Sequence, residues 1–275
     1  MATSLKTIRS EQVGKTTVRL LQGDGGYVGA MIPAGGKPVQ YEGDDPDILW
    51  RKLLAEVGRA HPDYFGFDGA RSRFLRYFPK GFADDGYAQH ERIYKDEAVA
   101  KIGAMLPLEA ARAAGPEQCA AAVRAFQATN LVFQVEKARI REVLLGDAGP
   151  AFLASAARFA DGDVGGFAGM VDAIRASTQP SWPMLTYLPF MWRPDRHIFL
   201  KPQVTCDFAD RVGHPFTRDY AQGIVPAVYD SLLDLAEETR REIAALEPRD
   251  LIDVQSFIWV VGAYADDEPI ERPGA

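Results

Sequence analysis

The sequence predicts an α+β fold that is predominantly α-helical, with a small N-terminal antiparallel β-meander followed by a multi-helix domain. Two observations predict this fold. Before residue 43, runs of β-forming residues alternate with glycine-rich turns, as in antiparallel hairpins. Beyond residue 44, apolar residues recur at the spacing of amphipathic helices. We therefore expect residues 1–43 to form a meander that is not independent, and residues 44–275 to form a helical domain with a lobe boundary near 177–183.

The meander is predicted to hold three strands. Thr16–Gln22 and Tyr27–Ile32 are rich in strand-forming residues, and the glycines between them suit a turn because glycine reaches positive φ without steric cost. Val39–Tyr41 follows a second turn that contains prolines and glycines. The first ten residues are polar, and we expect no regular structure there.

The helices are predicted from their caps and their periodicity. Asp45 suits the N-cap of the first helix and Pro46 its first position. Pro226 lies inside the longest helical pattern, Thr217–Leu246, and should kink that helix or mark its true start. His197–Leu200 is bounded by prolines and suits an isolated strand. The remaining helical patterns cover Asp68–Phe78, Asp84–Met105, Pro116–Ala128, Leu131–Leu145, Pro150–Phe159, Val164–Ser177, Val204–Val212, Thr217–Leu246 and Leu251–Tyr264.

Composition narrows the class of protein. The formal net charge of −7 offers no global attraction to phosphate backbones, so nucleic-acid binding would need a local basic patch. The two cysteines, Cys119 and Cys206, lie far apart in the sequence and indicate a reducing compartment. The N-terminus lacks the features of a signal peptide, and no apolar run has the length of a membrane span. We expect a cytoplasmic protein without membrane association, and we find no motif for a metal or a cofactor.

The candidate site of the sequence is a charged turn between two apolar segments. Arg193, Asp195, Arg196, His197 and Lys201 lie there within nine residues. Arginine pairs grip carboxylates and phosphates through paired N–H donors, so Arg193, Arg196 and Lys201 are predicted to bind an anion. The alternative is a structural corner in which the charges pair with one another. A further alternative is an enzyme acting on a small anionic substrate with His197 and Asp195.

A second basic region lies in the helix predicted at Asp68–Phe78. Arg71, Arg73 and Arg76 occur there among aromatic residues, a combination that binds single-stranded nucleic acid when both kinds of side chain share one face. In a helix, however, Phe74 and Phe78 fall on a different face from the arginines, which favours core aromatics and solvated arginines.

The C-terminal helix predicted from Leu251 carries an acidic residue in its first turn. Asp250 suits the N-cap, and Asp253 falls among apolar residues near the positive end of the helix dipole. We expect a buried Asp253 to pair with an arginine of the charged turn.

Two segments of the last third resemble a known group of proteins. Trp182–Thr186 leading into Pro194–Pro202 is similar to a Pro-Asp-Arg element in accessory regions of bacterial modified-DNA restriction and related defence proteins, and Asp250–Trp259 looks like a tail that accompanies it in uncharacterised bacterial proteins. The chain lacks their NTPase and nuclease domains. The resemblance implies a helical recognition or scaffolding module, so we expect a non-catalytic binding or adaptor module with a nucleic-acid or protein partner, a small anionic ligand being the alternative.

Overall fold

A computed structural model describes residues 5–13, 16–23, 25–33, 35–59 and 65–264. It confirms the predicted fold class: a four-stranded antiparallel sheet precedes a large helical region. The N-terminal strands and the helices are formed by separate stretches of the chain, with no return to β-structure in the described part after residue 43.

The sheet has strand order β1-β2-β3-β4, with every neighbouring pair antiparallel. Its strands are β1 (Lys6–Val13), β2 (Thr16–Gly23), β3 (Gly26–Pro33) and β4 (Val39–Gly43). The last three were predicted. β1 was not, because its polar side chains conceal a strand that is held by its pairing with β2.

The first helix, α1 (Pro46–Arg59), covers the sheet. The Asp45 carboxylate accepts hydrogen bonds from the backbone N–H of Asp47 and Ile48, at 2.8 and 2.9 Å, and so caps the helix as predicted. Leu53 and Leu54 of α1 pack with Val18 of β2 in a small core that is separate from the main one.

The other helices build the main core. Their bounds are α2 (Gly66–Tyr77), α3 (Asp85–Tyr87), α4 (Ile93–Met105), α5 (Leu108–Arg112), α6 (Pro116–Phe126), α7 (Gln134–Leu145), α8 (Gly149–Ala160), α9 (Gly165–Arg175), α10 (Trp182–Trp192), α11 (Pro202–Val212), α12 (Phe216–Tyr220), α13 (Pro226–Glu242) and α14 (Leu251–Ala263). The core residues come from both sides of the lobe boundary expected near 177–183 and form one cluster. Pro226 marks the true start of α13.

The central helix of this core, α10, was not predicted from the sequence. Its residues from Trp182 to Met191 are all buried, and it packs against α4, α6, α7, α8 and α9. The segment after it, His197–Leu200, has no regular secondary structure, so the prediction of a strand there was wrong. Two of its backbone N–H groups bond to side chains instead: Ile198 donates to the Tyr229 hydroxyl at 3.3 Å and Leu200 to the Thr186 hydroxyl at 3.1 Å.

A π-helical segment, Ala88–Arg92, joins α3 to α4 in one continuous helix. Such wide turns are rare and occur often at functional sites. Among the described residues, no helix combines the length and the apolarity that crossing a membrane requires.

Candidate functional site

The cavity of interest lies where three helices begin. α7 starts after Phe133, α10 after Ser181 and α11 after Lys201, and all three of these N-terminal residues line the cavity. Proline at the second position of α10 and at the first position of α11 favours a helix start, because the missing N–H would have no partner within the helix. The positive ends of three helix dipoles therefore lie at the wall of one cavity.

The cavity has a volume of about 400 Å³. Its wall is mostly apolar, and its polar side chains are few: Glu136, Ser181, Lys201 and Tyr220. The complete lining is Leu131, Phe133, Glu136, Pro180, Ser181, Trp182, Pro183, Lys201, Pro202, Tyr220, Ala221, Gly223 and Ile224. Apolar walls with a few convergent polar groups are typical of small-molecule sites.

Lys201 places a positive charge in this wall. Its Nζ lies 4.0 Å from the ring centroid of Trp259 and 5.0 Å from that of Phe133, so two aromatic faces hold the ammonium. Among the described residues, the carboxylates of Glu91 and Glu136 act on this ammonium from a distance, but none forms a direct ion pair with it. The donors of the ammonium are thus available to a ligand.

Burial of Lys201 and the nearby charge of Lys95 lower its pKa, against the opposing attraction of Glu91 and Glu136. An anion bound in the cavity would favour the charged form and reverse this shift. Lys201 is one of the residues that the sequence predicts for anion binding.

Glu136 is the acidic counterpart in the same wall. It lies in the first turn of α7, where the helix dipole favours a negative charge. The Ser181 hydroxyl donates to its Oε1 at 2.6 Å, whereas its Oε2 is shielded from solvent and has no hydrogen-bond partner among the described residues. An unpaired buried carboxylate oxygen is costly, so this atom stands out in the site.

The rest of the predicted charged turn lies outside the cavity wall. The Arg193 guanidinium contacts Asp195 at 3.3 Å and Asp161 at 4.0 Å, and Arg196 contacts Asp195 at 3.4 Å. The Pro194 carbonyl accepts a hydrogen bond from the backbone N–H of Leu251 at 2.9 Å, which ties the turn to α14. Arg193, Asp195 and Arg196 thus form ion pairs within the chain, the contacts that the interpretation as a structural corner expects.

His197 is buried beneath this turn. Its Nδ1 lies 2.9 Å from the Tyr229 hydroxyl and its Nε2 3.2 Å from the Ala160 carbonyl oxygen, so both ring nitrogens are engaged within the chain. Burial lowers the pKa of His197 and favours the neutral ring. The ring contacts Phe159 as well, which gives it the environment of a core residue.

The basic residues of α2 also bind their own chain. Arg71 donates to the Glu242 carbonyl oxygen at 2.6 Å and contacts Asp68, and Arg73 donates to the Tyr264 carbonyl oxygen. Arg76 is exposed in the last turn. Phe74 of this helix and Phe78, which follows its end, are fully buried in the core and contact each other edge to face.

Asp253 is buried as expected, but its predicted partner was wrong. It pairs with Arg92 at 2.9 Å and with Arg249 at 2.9 Å rather than with Arg193 or Arg196. Burial disfavours the carboxylate, yet hydrogen bonds from Arg249 and from the Tyr87 hydroxyl outweigh it and lower the pKa of Asp253. The turn reaches α14 through a backbone hydrogen bond instead of an ion pair.

A second buried pair lies beside this one. The Lys95 ammonium donates to Glu91 Oε2 at 3.1 Å and to the Ser256 hydroxyl at 2.7 Å, and the Tyr264 hydroxyl donates to Glu91 Oε1 at 2.7 Å. The (i, i+4) spacing of Glu91 and Lys95 predicts an ion pair on a solvated helical face; the pair is present, but the face was wrong, because both side chains are buried. The positive charge of Lys95 lowers the pKa of Lys201. The Glu91–Lys95 pair is therefore part of the electrostatic environment of the cavity.

Sequence reasoning also missed Phe133, Glu136 and Ser181. The predicted helix Leu131–Leu145 begins three residues before the true start at Gln134, so Glu136 did not fall in its first turn. Comparisons with protein-family models, with curated proteins and with solved structures found no match.

Proposed function

We propose that the protein is a non-catalytic binding module for a small anionic ligand, which the cavity beside Lys201 receives. The observation that carries this proposal is the position of the Lys201 ammonium, held by ring faces at the convergence of three helix N-termini. Helix N-termini and an ammonium both attract anions, and the two effects act here in a space of low polarity.

The shape of the cavity supports a small ligand with an apolar body. A volume of about 400 Å³ lies in the range of small-molecule sites, and Leu131, Trp182 and Ile224 line it without offering a charge. An aryl or alkyl carboxylate combines an anionic end for Lys201 with an apolar body for these walls.

The contacts that the other predicted site residues make within the chain support binding rather than catalysis. His197, the candidate base, has both ring nitrogens engaged within the chain, and Asp195 pairs with arginines on the surface. Arg71 and Arg73 bond to their own chain, so the described contacts favour the small ligand over a nucleic acid. We place the protein in the cytoplasm, a proposal supported by its two free cysteines.

The test uses 3-phenylpropionate and octanoate as probes in isothermal titration calorimetry. We expect saturable binding to the wild-type protein and a loss of about 10-fold or more in affinity for Lys201→Met, because a charge-assisted hydrogen bond contributes about 1.5–3 kcal/mol. Methionine keeps much of the apolar stem that packs on Trp259.

The matched control is Lys101→Met, which removes an exposed lysine of α4. It should bind both probes as the wild type does. Equal affinities of the Lys201→Met and wild-type proteins for these probes would refute the proposed function, and so would the absence of saturable binding at millimolar concentration of both probes and of L-phenylalanine.

A further inference from the structure

The cavity holds two opposite charges that do not neutralise each other. Lys201 and Glu136 both line it, and the charge of Glu136 acts on the Lys201 ammonium, yet the two groups form no ion pair within 4.0 Å among the described contacts. Two unpaired charges of opposite sign on one wall leave room for a ligand that carries both complementary charges.

Glu136 Oε2 lacks a hydrogen-bond donor among the residues that the structure describes. Among the described contacts, this carboxylate accepts one hydrogen bond, at Oε1 from the Ser181 hydroxyl, while Oε2 is shielded from water and has no partner in the described part of the chain. A carboxylate in such a position is stabilised when a cationic donor approaches it. The terminal torsion of glutamate is broad, so a small rotation presents either oxygen to the cavity.

We propose that the ligand is a zwitterion, an amino carboxylate with an apolar side chain, whose carboxylate meets Lys201 and whose ammonium meets Glu136. This inference rests on the proposed function and adds the second recognised group. The apolar body then contacts the uncharged wall formed by residues such as Leu131 and Ile224. Both charges of the ligand and both charges of the site are compensated in the bound state, which limits the cost of burying them.

The experiment compares three probes that share one phenyl group: L-phenylalanine, 3-phenylpropionate, which lacks the ammonium, and phenethylamine, which lacks the carboxylate. On the wild-type protein we expect L-phenylalanine to bind at least 10-fold tighter than either of the others in calorimetry. Equal or tighter binding of 3-phenylpropionate would overturn the inference, and this result needs no variant protein.

A variant then assigns the effect to Glu136. Glu136→Gln keeps an oxygen that accepts from Ser181 but removes the charge, so the advantage of L-phenylalanine over 3-phenylpropionate should disappear. Glu142→Gln, at an exposed position of the same helix, should preserve that advantage. An advantage that survives in Glu136→Gln would overturn the assignment.

The two proposals fail in different ways. If 3-phenylpropionate binds and depends on Lys201 while the ammonium adds nothing, the anion site stands and the zwitterion inference is refuted. If none of the three probes shows saturable binding, the proposed function is refuted and the zwitterion inference with it.

Discussion

Replacement of Asp253 by asparagine tests the buried ion-pair network between the helix of residues 85–105 and α14. Asp253 is fully buried and accepts five hydrogen bonds. The Tyr87 hydroxyl donates at 2.5 Å, Arg92 Nη1 at 2.9 Å, and the backbone N–H, Nε and Nη2 of Arg249 at 2.9 Å each. Asparagine has the same size but offers one acceptor oxygen and turns an N–H₂ toward these donors.

The expected loss of stability depends on the contacts that Arg92 and Arg249 keep in the Asp253→Asn variant. Removal of one member of a buried ion pair costs about 3–5 kcal/mol. Arg92 keeps Asp250 at 2.7 Å and Asp96 at 2.8 Å, and Arg249 is half-exposed and can be hydrated. We therefore expect the lower end, about 3 kcal/mol in the free energy of unfolding, which corresponds to a decrease of about 5 °C in Tm for a chain of this length.

Asp96→Asn is the matched control, because Asp96 binds the same guanidinium but is half-exposed. Its loss should cost less than about 1 kcal/mol. Urea unfolding followed by circular dichroism at pH 7 measures both variants. A cost for Asp253→Asn that equals the cost for Asp96→Asn would show that the buried carboxylate contributes no more than a surface one, and would refute the reasoning.

Three further predictions concern the core. Because burial lowers the pKa of His197, the fold favours the neutral ring, so stability is complete above the unfolded-state pKa of about 6.5 and decreases below it by at most about 1.4 kcal/mol per pH unit; urea titrations across pH 5–8 should show this slope, and His197→Gln should remove it. Tyr229→Phe leaves His197 Nδ1 without its donor and should cost about 1–3 kcal/mol in thermal unfolding, against no change if the hydroxyl is dispensable. Gly29→Ala places a Cβ 2.5 Å from buried Leu53, and a cost of about 1–3 kcal/mol should appear in the same assay; an unchanged Tm would mean that the small core yields.

The parts of the fold that local chemistry determines were predicted. Asp45 and Asp250 cap their helices through contacts within three residues, and such signals are visible in the sequence. α10 was missed because burial on all sides removes the polar face that makes a helix recognisable, and Pro189 inside it argues against a helix. β1 was missed because its stability comes from pairing with β2.

The candidate site was only partly predictable, because local patterns are visible in the sequence and contacts between distant segments are not. Lys201 was identified because it lies in a local cluster of charges bounded by prolines. Glu136 and Phe133 belong to a helix that is distant in sequence, and only the packing of α7 against α10 brings them to the same cavity. The partner of Asp253 was misassigned because Arg92 is separated from it by 161 positions, a distance at which the sequence carries no pairing signal.

The π-helical turn at Ala88–Arg92 determines which side chains face α14. In a regular helix, a residue five positions after Tyr87 would point well away from it, whereas here both Tyr87 and Arg92 reach Asp253. Deletion of one residue from this segment would leave the tyrosine and the arginine four positions apart, a spacing at which a regular α-helix holds both side chains on one face. Homologous chains that are one residue shorter at this point should therefore have a regular helix there and keep the tyrosine, the arginine and the acidic start of the last helix.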